Sequence, residues 1–396
     1  MTKLLPCQGL IGLPAGQAPD LLLLLALSGV AALVAWTLRD RELFPRWLWI
    51  PAVALHLWMW LVGPVYSDDV FRYLWEGRVL LSGENPFAHA PDSPALEALR
   101  NGTWEQVAHK TVSTIYPPGA LALFALVARV WEHPMAWGLV SGAANLGIGA
   151  LLIKACRQRG VGVWAPALYV LHPLPALESA GSGHLEPIAL LFATAAFVAR
   201  GPLTSFLAAM GAMVKLLPAV LLVALARRPR QLWGLIPAGV VGVVLAWPVL
   251  DEHLLRGFNR YYEAWAFNAS GFRILEWAFG EHARAVGVVL GGAWCARAAW
   301  ICRDPARLLL HVSAALVLLS PVVHPWYLLW PLVPALARGV WPWAVLASTG
   351  LLSYAVLGSY DGQSWTEPEW VVWVEYPPLV LALGMYWMRA RRRSEA

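Results

Sequence analysis

Long apolar runs separated by short polar connections recur along almost the whole chain. About thirteen of them have the length needed to cross a hydrocarbon core of roughly 30 Å. They lie at 19–38, 46–65, 116–132, 135–155, 162–179, 184–200, 203–226, 231–250, 284–302, 306–322, 325–338, 340–357 and 369–388. Hydrophobic residues make up 59% of the chain and charged residues only 13%, about half the charged share of a soluble domain. The 24 tryptophans suit the two membrane interfaces. The sequence therefore predicts an all-α integral membrane protein, a polytopic transmembrane helical bundle of about 11–13 segments, some of them broken.

Two hydrophilic stretches, 67–115 and 251–283, are too long to be simple turns. Arginines in the connections before them favour the cytoplasmic side for those connections, so both stretches are expected on the outer face, each with an interfacial helix. Strict alternation then puts the polar connection 181–186 inside, against its composition. Broken helices between 116 and 226, tolerated where backbone lines a cavity, resolve this conflict. The expected organisation is one domain, 1–396.

Several classes of function are disfavoured by the residues. There is no Walker A motif and no Gly-rich phosphate loop before a helix. The four cysteines show no paired spacing. The net charge of +5 comes mostly from basic residues between apolar runs and near residue 390, which does not indicate nucleic acid. An activated substrate carried by a membrane lipid fits these constraints, and no cofactor is indicated.

Two adjacent carboxylates, Asp68 and Asp69, follow the second apolar run. Ser67 can cap a helix whose first turn holds them, where the helix dipole favours acids. Apolar residues recur at helical spacing through 71–79, which predicts an amphipathic helix in the outer interface. Two interpretations stay open: the acids only stabilise the helix start, or one of them is a general base at the water–lipid boundary.

Ionisable and polar residues within or beside apolar runs are functional candidates by default. The candidates are Glu178, His184, Glu186, Lys215 and His324, with Tyr116, Trp326 and Tyr327 beside them. Plainer interpretations exist: His324 is a polar residue at a membrane boundary, and Lys215 snorkels to an interface. The histidines lack local metal-ligand spacing, so no metal site is predicted.

The motifs occur in an order that resembles one family. They are SDDVFRYLWEGRVLLSGENPF, APDSPALEALRNGTW, TIYPPGALALF, ESAGSGHLEPIALLF, VKLLPAVLL and SPVVHPWYLLWPL, within residues 60–335. This ordered set resembles the GT-C glycosyltransferases, polytopic enzymes that use polyprenyl- or dolichyl-phosphate sugars. It is most similar to bacterial polyprenol-phosphate-mannose-dependent mannosyltransferases.

The resemblance implies that an acid of the first outer loop takes the proton from the acceptor hydroxyl. The hydroxyl then attacks the anomeric carbon, and polyprenyl phosphate leaves with inversion. On this chain the base would be Asp68 or Asp69. The first place in the acidic pair favours Asp68, whereas an alignment through Gly83 favours Asp69.

The implied partners are a polyprenyl-phosphate hexose donor, with mannose favoured, a glycan or glycolipid acceptor, and the lipid bilayer, with no nucleic acid. The implied location is the cell (inner) membrane, with the active site facing the extracytoplasmic side.

Cations suit the departing phosphate, and carboxylates suit sugar hydroxyls. The phosphate candidates are Arg72, His184, Lys215 and His324, the sugar candidates are Glu178 and Glu186, and the second outer loop adds Arg256, Arg260, Tyr261 and Arg273. Some members of the wider family use a divalent ion beside the acidic loop, and no motif here indicates one.

Two other classes of protein are alternatives. A transporter or flippase of a lipid-linked saccharide would also need intramembrane charge and broken helices, but two asymmetric outer loops and the lack of a halved repeat favour an enzyme. A non-catalytic membrane subunit is the third option. The run at 19–38 is extra relative to the simplest family pattern and leaves the sidedness of the N-terminal part open.

Overall fold

The computed structural model describes residues 20–251, 253, 257, 266–359 and 366–395. Helices account for 76% of the structure, and the described residues form no β-strand, which confirms the all-α class. The helices before the second outer loop are α1 (Leu21–Thr37), α2 (Trp49–Val62), α3 (Asp69–Leu81), α4 (Gly102–Gln106), α5 (Pro118–Trp131), α6 (Pro134–Gln158), α7 (Trp164–Leu171), α8 (Pro173–Ala176), α9 (Glu186–Val198), α10 (Pro202–Val214), α11 (Val220–Leu225) and α12 (Leu235–Ala246). Those that follow are α13 (Ser270–Phe279), α14 (Ala283–Ile301), α15 (Pro305–Leu319), α16 (Leu329–Leu336), α17 (Pro342–Thr349), α18 (Glu369–Glu375) and α19 (Pro377–Glu395).

Among the residues that the structure describes, three helical stretches are long and apolar enough to cross a membrane by length and composition: Pro134–Gln158, Pro229–Val249 and Glu369–Arg392. Six further apolar helices of 10–17 residues lie in the same described ranges. These helices support the predicted membrane protein. The larger number of crossing segments, about 11–13 by hydropathy, stays a prediction.

Several of the predicted apolar segments are interrupted helices. The segment at 162–179 ends its first helix at Leu171, because His172 precedes Pro173 and takes an extended conformation. A π-helical turn, Leu177–Gly181, follows. In the segment at 203–226, Lys215 is extended between α10 and α11. Broken helices between 116 and 226 are what the sequence suggests to reconcile the charge of the connections with their alternation across the membrane. Each break described here contains polar residues.

The predicted amphipathic helix after Asp68 is α3, and it packs closely against α5. The contact is made at Gly77, where an added Cβ would lie 2.4 Å from the carbonyl oxygen of Phe124. Nearby, the Tyr73 ring stacks on the Phe124 ring at 4.7 Å between centroids. The position of α3, and of the acids at its start, therefore depends on a backbone approach that only glycine permits.

Replacing Gly77 with alanine is expected to destabilise the protein by about 1–3 kcal/mol, because the new methyl group overpacks this contact. The thermal unfolding midpoint in detergent measures the effect. Gly29→Ala is the matched control, since a Cβ at Gly29 meets nothing within 4 Å and alanine is the better helix former. Equal unfolding midpoints for wild type and Gly77→Ala would contradict the close contact.

Candidate active site

Asp68 and Asp69 lie at the start of α3. The backbone N–H of Asp69 donates to the Ser67 hydroxyl at 3.3 Å. The prediction that Ser67 is the capping residue is wrong, because the helix begins at Asp69 and its N-cap position is Asp68, which makes no side-chain capping hydrogen bond. Both aspartates are half-buried. Burial, followed by the negative charge of Asp69, raises the pKa of Asp68 to about 6. In the described part of the chain, no basic side chain lies within ion-pair distance of the Asp68 carboxylate.

The Asp69 carboxylate meets a buried row of polar side chains. Its Oδ2 lies 3.6 Å from His184 Nδ1, and His184 Nε2 lies 3.3 Å from Glu178 Oε2. The Tyr354 hydroxyl donates to Glu178 Oε1 at 2.8 Å. His184 and Glu178 are fully buried. A positive charge on this imidazole would therefore have a carboxylate on either side.

The backbone around His184 explains how a polar residue reaches this depth. The π-helical turn Leu177–Gly181 is followed two residues later by Gly183, which has a left-handed φ of 70° and takes it without steric cost. The Ser141 hydroxyl of α6 donates to the His184 carbonyl at 2.6 Å. Single π-turns inside helices are frequent at functional sites. The polar gap in the sequence is therefore a helix break that points His184 at Asp69.

Four aromatic rings, with His184 at one end, stack in a row. Trp326 stacks on His184 at 3.9 Å between centroids, and on its other side it stacks on His324 at 4.3 Å with nearly parallel planes. Phe267 stacks on His324 at 4.9 Å. We call these four residues the ring stack. It joins the segment after α15 to the acids of α3.

Lys215 adjoins the ring stack from α10. Its ammonium forms an ion pair with Glu186, the first residue of α9, and lies 5.3 Å above the Tyr327 ring. The Tyr327 ring in turn makes edge contacts with His324 and Trp326 at 5.4 and 6.0 Å. The Glu186 side chain is buried, whereas that of Lys215 is 30% exposed. The lysine side chain can therefore be reached from outside, whereas that of its carboxylate partner cannot.

Arg72 makes its hydrogen bonds within α3 and to the hydrophilic stretch 67–115. Its Nη1 donates to Glu76 and to the Val112 carbonyl, both at 3.1 Å. Its Nη2 donates to the carbonyls of Ala108 and His109 at 3.0 and 2.8 Å. These bonds fasten the end of the hydrophilic stretch 67–115 to α3.

The remaining predicted residues lie elsewhere. Tyr116 packs edge-on against Tyr73 at 5.3 Å, below α3. Arg273 pairs with Glu367. Three of the residues predicted from the second outer loop, Arg256, Arg260 and Tyr261, lie outside the described residues. Substrate-binding roles for Arg72, Tyr116 and Arg260 stay predictions.

Three side chains of the site were not predicted from the sequence. Tyr354, Ser141 and Phe267 contact Glu178, His184 and His324 respectively. The signal for Tyr354 was a tyrosine inside the apolar run at 340–357. Ser141 and Phe267 gave none, because a serine in a helix and a phenylalanine in a loop are ordinary. Among the described residues, no group of three or more His, Cys, Asp or Glu side chains is arranged to hold a metal ion.

Comparison with known proteins places this site in a family. A family model described as "Alpha-(1->6)-mannopyranosyltransferase, N-terminal domain" matches residues 4–229, and one described as "MptB C-terminal domain" matches residues 270–386. The first match covers more than half of the chain and includes the acids of α3 and Lys215. The second includes His324 and Trp326.

A curated relative agrees with these matches. The chain is 26% identical over 373 residues to Alpha-(1->6)-mannopyranosyltransferase B of Corynebacterium glutamicum, an alignment that covers 76% of this chain and 60% of the relative. The chain thus spans about three fifths of the length of the relative it matches. No solved structure matches. The chain belongs to the alpha-(1->6)-mannopyranosyltransferase family, a family of glycosyltransferases, which confirms the resemblance drawn from its motifs.

Proposed function

We propose that the protein is an integral membrane mannosyltransferase. It moves mannose from a polyprenyl-phosphate donor to a hydroxyl of an extracytoplasmic glycan or glycolipid, with inversion at the anomeric carbon. The observation that carries the proposal is the meeting of Asp69 with His184, next to the ring stack and Lys215. A base and several potential cations are thereby gathered at one end of α3. Family membership supports glycosyl transfer and the choice of mannose.

Asp68 is proposed as the general base. A base works best when its pKa lies near the working pH, and burial together with Asp69 raises the pKa of Asp68 to about 6. Asp69 is already in contact with His184, whereas no basic side chain of the described residues lies within ion-pair distance of the Asp68 carboxylate. Asp69 is therefore proposed to orient His184, and Asp68 to take the proton.

The bonds that form and break follow from these roles of Asp68 and Asp69. The acceptor hydroxyl gives its proton to the Asp68 carboxylate, and its oxygen forms a bond to the anomeric carbon. The bond from that carbon to the phosphate oxygen breaks, and polyprenyl phosphate leaves with the electron pair. Lys215, His184 and His324 face the departing charge, which is the arrangement that stabilises such a leaving group.

The other residues of the site are assigned to substrate placement. Glu178 and Glu186 are proposed to bind sugar hydroxyls, and one oxygen of Glu186 has no hydrogen-bond partner among the described residues. Trp326 and Tyr327 are proposed to form an aromatic wall. Arg72 and Tyr116 would act from a distance, by holding α3 and the first outer loop in position.

The proposed placement is a polytopic bundle of one domain in the cell membrane, with the acids of α3 on the outer face. Exposed Ile274 and Trp277 share one side of α13 (66% and 88% exposed), whereas Phe272 and Leu275 are buried on the other. An amphipathic helix of this kind suits a membrane interface. We assign it as the second of the two interfacial helices that the sequence predicts.

The function is tested with purified protein, synthetic polyprenyl-phosphate mannose and a set of membrane glycolipid acceptors. We expect release of polyprenyl phosphate and one added hexose on an acceptor, both followed by mass spectrometry. The Asp68→Asn/Asp69→Asn double variant serves as the inactive control. If labelled donor changes leaflet without being consumed, the transporter alternative is correct and the proposal fails.

The pH dependence of kcat/KM follows from the raised pKa of Asp68. Only the ionised carboxylate accepts a proton, so activity is expected to fall as the pH drops through about 6. Because the charge of Asp69 is one cause of the raised pKa, the acid limb of residual activity in Asp69→Asn is expected at lower pH. A limb that does not move in this variant would argue against Asp68 as the titrating base.

A further inference from the structure

A short segment from the second outer loop lies alongside the backbone that leads into His324. The Phe267 N–H donates to the Pro321 carbonyl at 2.9 Å, and the Val323 N–H donates to the Phe267 carbonyl at 2.9 Å. These bonds form an isolated parallel bridge between Phe267 and Val322. They end directly before His324, so the place of this histidine in the ring stack depends on the segment 267–269.

Asn268 holds the segment in an unusual conformation. Its φ is 49°, in the left-handed region where asparagine is one of the few non-glycine residues found. Its backbone N–H donates to Glu367 Oε1 at 2.9 Å. Its side-chain Nδ2 donates to Glu375 Oε1 at 3.1 Å and, more weakly, to the Val323 carbonyl at 3.4 Å. Such a conformation persists only where surrounding contacts hold it in place. Here both the backbone N–H and the side-chain amide of Asn268 are hydrogen-bonded.

Glu375 is a buried carboxylate that the proposed mechanism does not use. It is 0% exposed and lies within the apolar stretch Glu369–Arg392. Its Oε2 has no hydrogen-bond partner among the described residues, and its Oε1 accepts from the Asn268 amide. A carboxylate at such a place is expensive and is a functional candidate by default. Its described contact points to a role through Asn268.

We propose that Asn268 and Glu375 are positioning residues for His324. Together they hold the segment 267–269 against 321–323, so that Phe267 and His324 stack in register with Trp326 and His184. The C-terminal helices thereby help to set the geometry of a site whose proposed reacting groups come from other helices. This inference rests on the proposed function only in assigning His324 to the donor phosphate.

The test pairs two disruptive variants with two controls. Asn268→Gly keeps the left-handed backbone and removes the amide, and Glu375→Leu removes the acceptor. Glu375→Gln keeps an acceptor oxygen for the Asn268 amide. Thr349→Val removes a hydroxyl that donates to the Glu375 carbonyl at 2.7 Å and leaves the Asn268 contact intact.

Hydrogen exchange of the peptide covering 321–324 is the first measurement, because the Val323 amide is bonded to Phe267. We expect faster exchange in Asn268→Gly and Glu375→Leu, and wild-type exchange in Glu375→Gln and Thr349→Val. The second measurement is steady-state kinetics. The KM for the donor is expected to rise roughly tenfold in the two disruptive variants, with the KM for the acceptor unchanged.

The two measurements separate this inference from the proposed function. Unchanged exchange in both disruptive variants overturns the positioning role, whatever the turnover. Where Glu375→Leu does not fold, Asn268→Gly gives the same answer alone. Faster exchange with a donor KM equal to that of the wild type also overturns the proposal, because loosening the segment 267–269 would then leave donor binding unchanged. A wild-type protein without transfer activity contradicts the proposed function, and the exchange result still decides whether the segment 267–269 is held as proposed.

Discussion

Replacing Asp68 with asparagine is expected to lower kcat for mannosyl transfer by about 10²–10⁴-fold, the usual contribution of a positioned general base. The amide has nearly the shape of the carboxylate but cannot take the proton from the acceptor hydroxyl. Because Asp68 pairs with no basic side chain in the described part of the chain, its loss leaves no cation unpaired there. Folding is therefore expected to stay intact. Single-turnover release of polyprenyl phosphate measures the chemical step directly.

Asp69→Asn is the matched variant, one residue further along the same helix. It removes the carboxylate that lies 3.6 Å from His184, so we expect a weaker loss of kcat together with a higher KM for the donor. The opposite result, with Asp69→Asn nearly inactive and Asp68→Asn nearly normal, would assign the proton to Asp69. Full turnover in both variants would remove the general base from this pair.

Much of this site was predictable because burying a polar group in an apolar setting is expensive. Glu178, His184 and Lys215 each interrupt an apolar run. The structure brings His184 to Asp69 at the start of α3, Glu178 to His184, and Lys215 to Tyr327 beside the ring stack. Helical spacing after Asp68 predicted α3 correctly. These inferences need only local patterns, since residue type and surroundings are both visible in the sequence.

Other features depend on contacts that no local pattern reveals. Arg72 has the right chemistry for a phosphate, yet its guanidinium donates to Glu76 and to three loop carbonyls about 40 residues away in the chain. Glu375, like Glu178, is an ionisable residue within an apolar run, but it was not among the candidates predicted from the sequence. Hydropathy detects apolar runs but not helix breaks such as the one at His172. The number of apolar runs in the sequence is therefore larger than the number of long apolar helices among the described residues.

Replacing Lys215 with methionine is expected to destabilise the protein, because the Glu186 carboxylate loses the cation with which it forms an ion pair. Removing one partner of a buried pair costs about 3–5 kcal/mol. The lower end of that range is expected here, since the lysine side chain is 30% exposed. Methionine keeps the length and apolar contacts of the stem. The free energy of unfolding in detergent measures the loss.

The double variant Lys215→Met/Glu186→Gln separates stability from catalysis. With both charges removed, no carboxylate is left unpaired, so most of the lost stability is expected to return. Turnover is expected to stay about 10²–10³-fold below wild type, the usual effect of removing one group that stabilises a developing negative charge. A double variant that regains both stability and turnover would show that Lys215 serves only as the partner of Glu186. One that regains stability alone, while the single variant Glu186→Gln keeps most of its turnover, would support Lys215 as a cation for the departing phosphate.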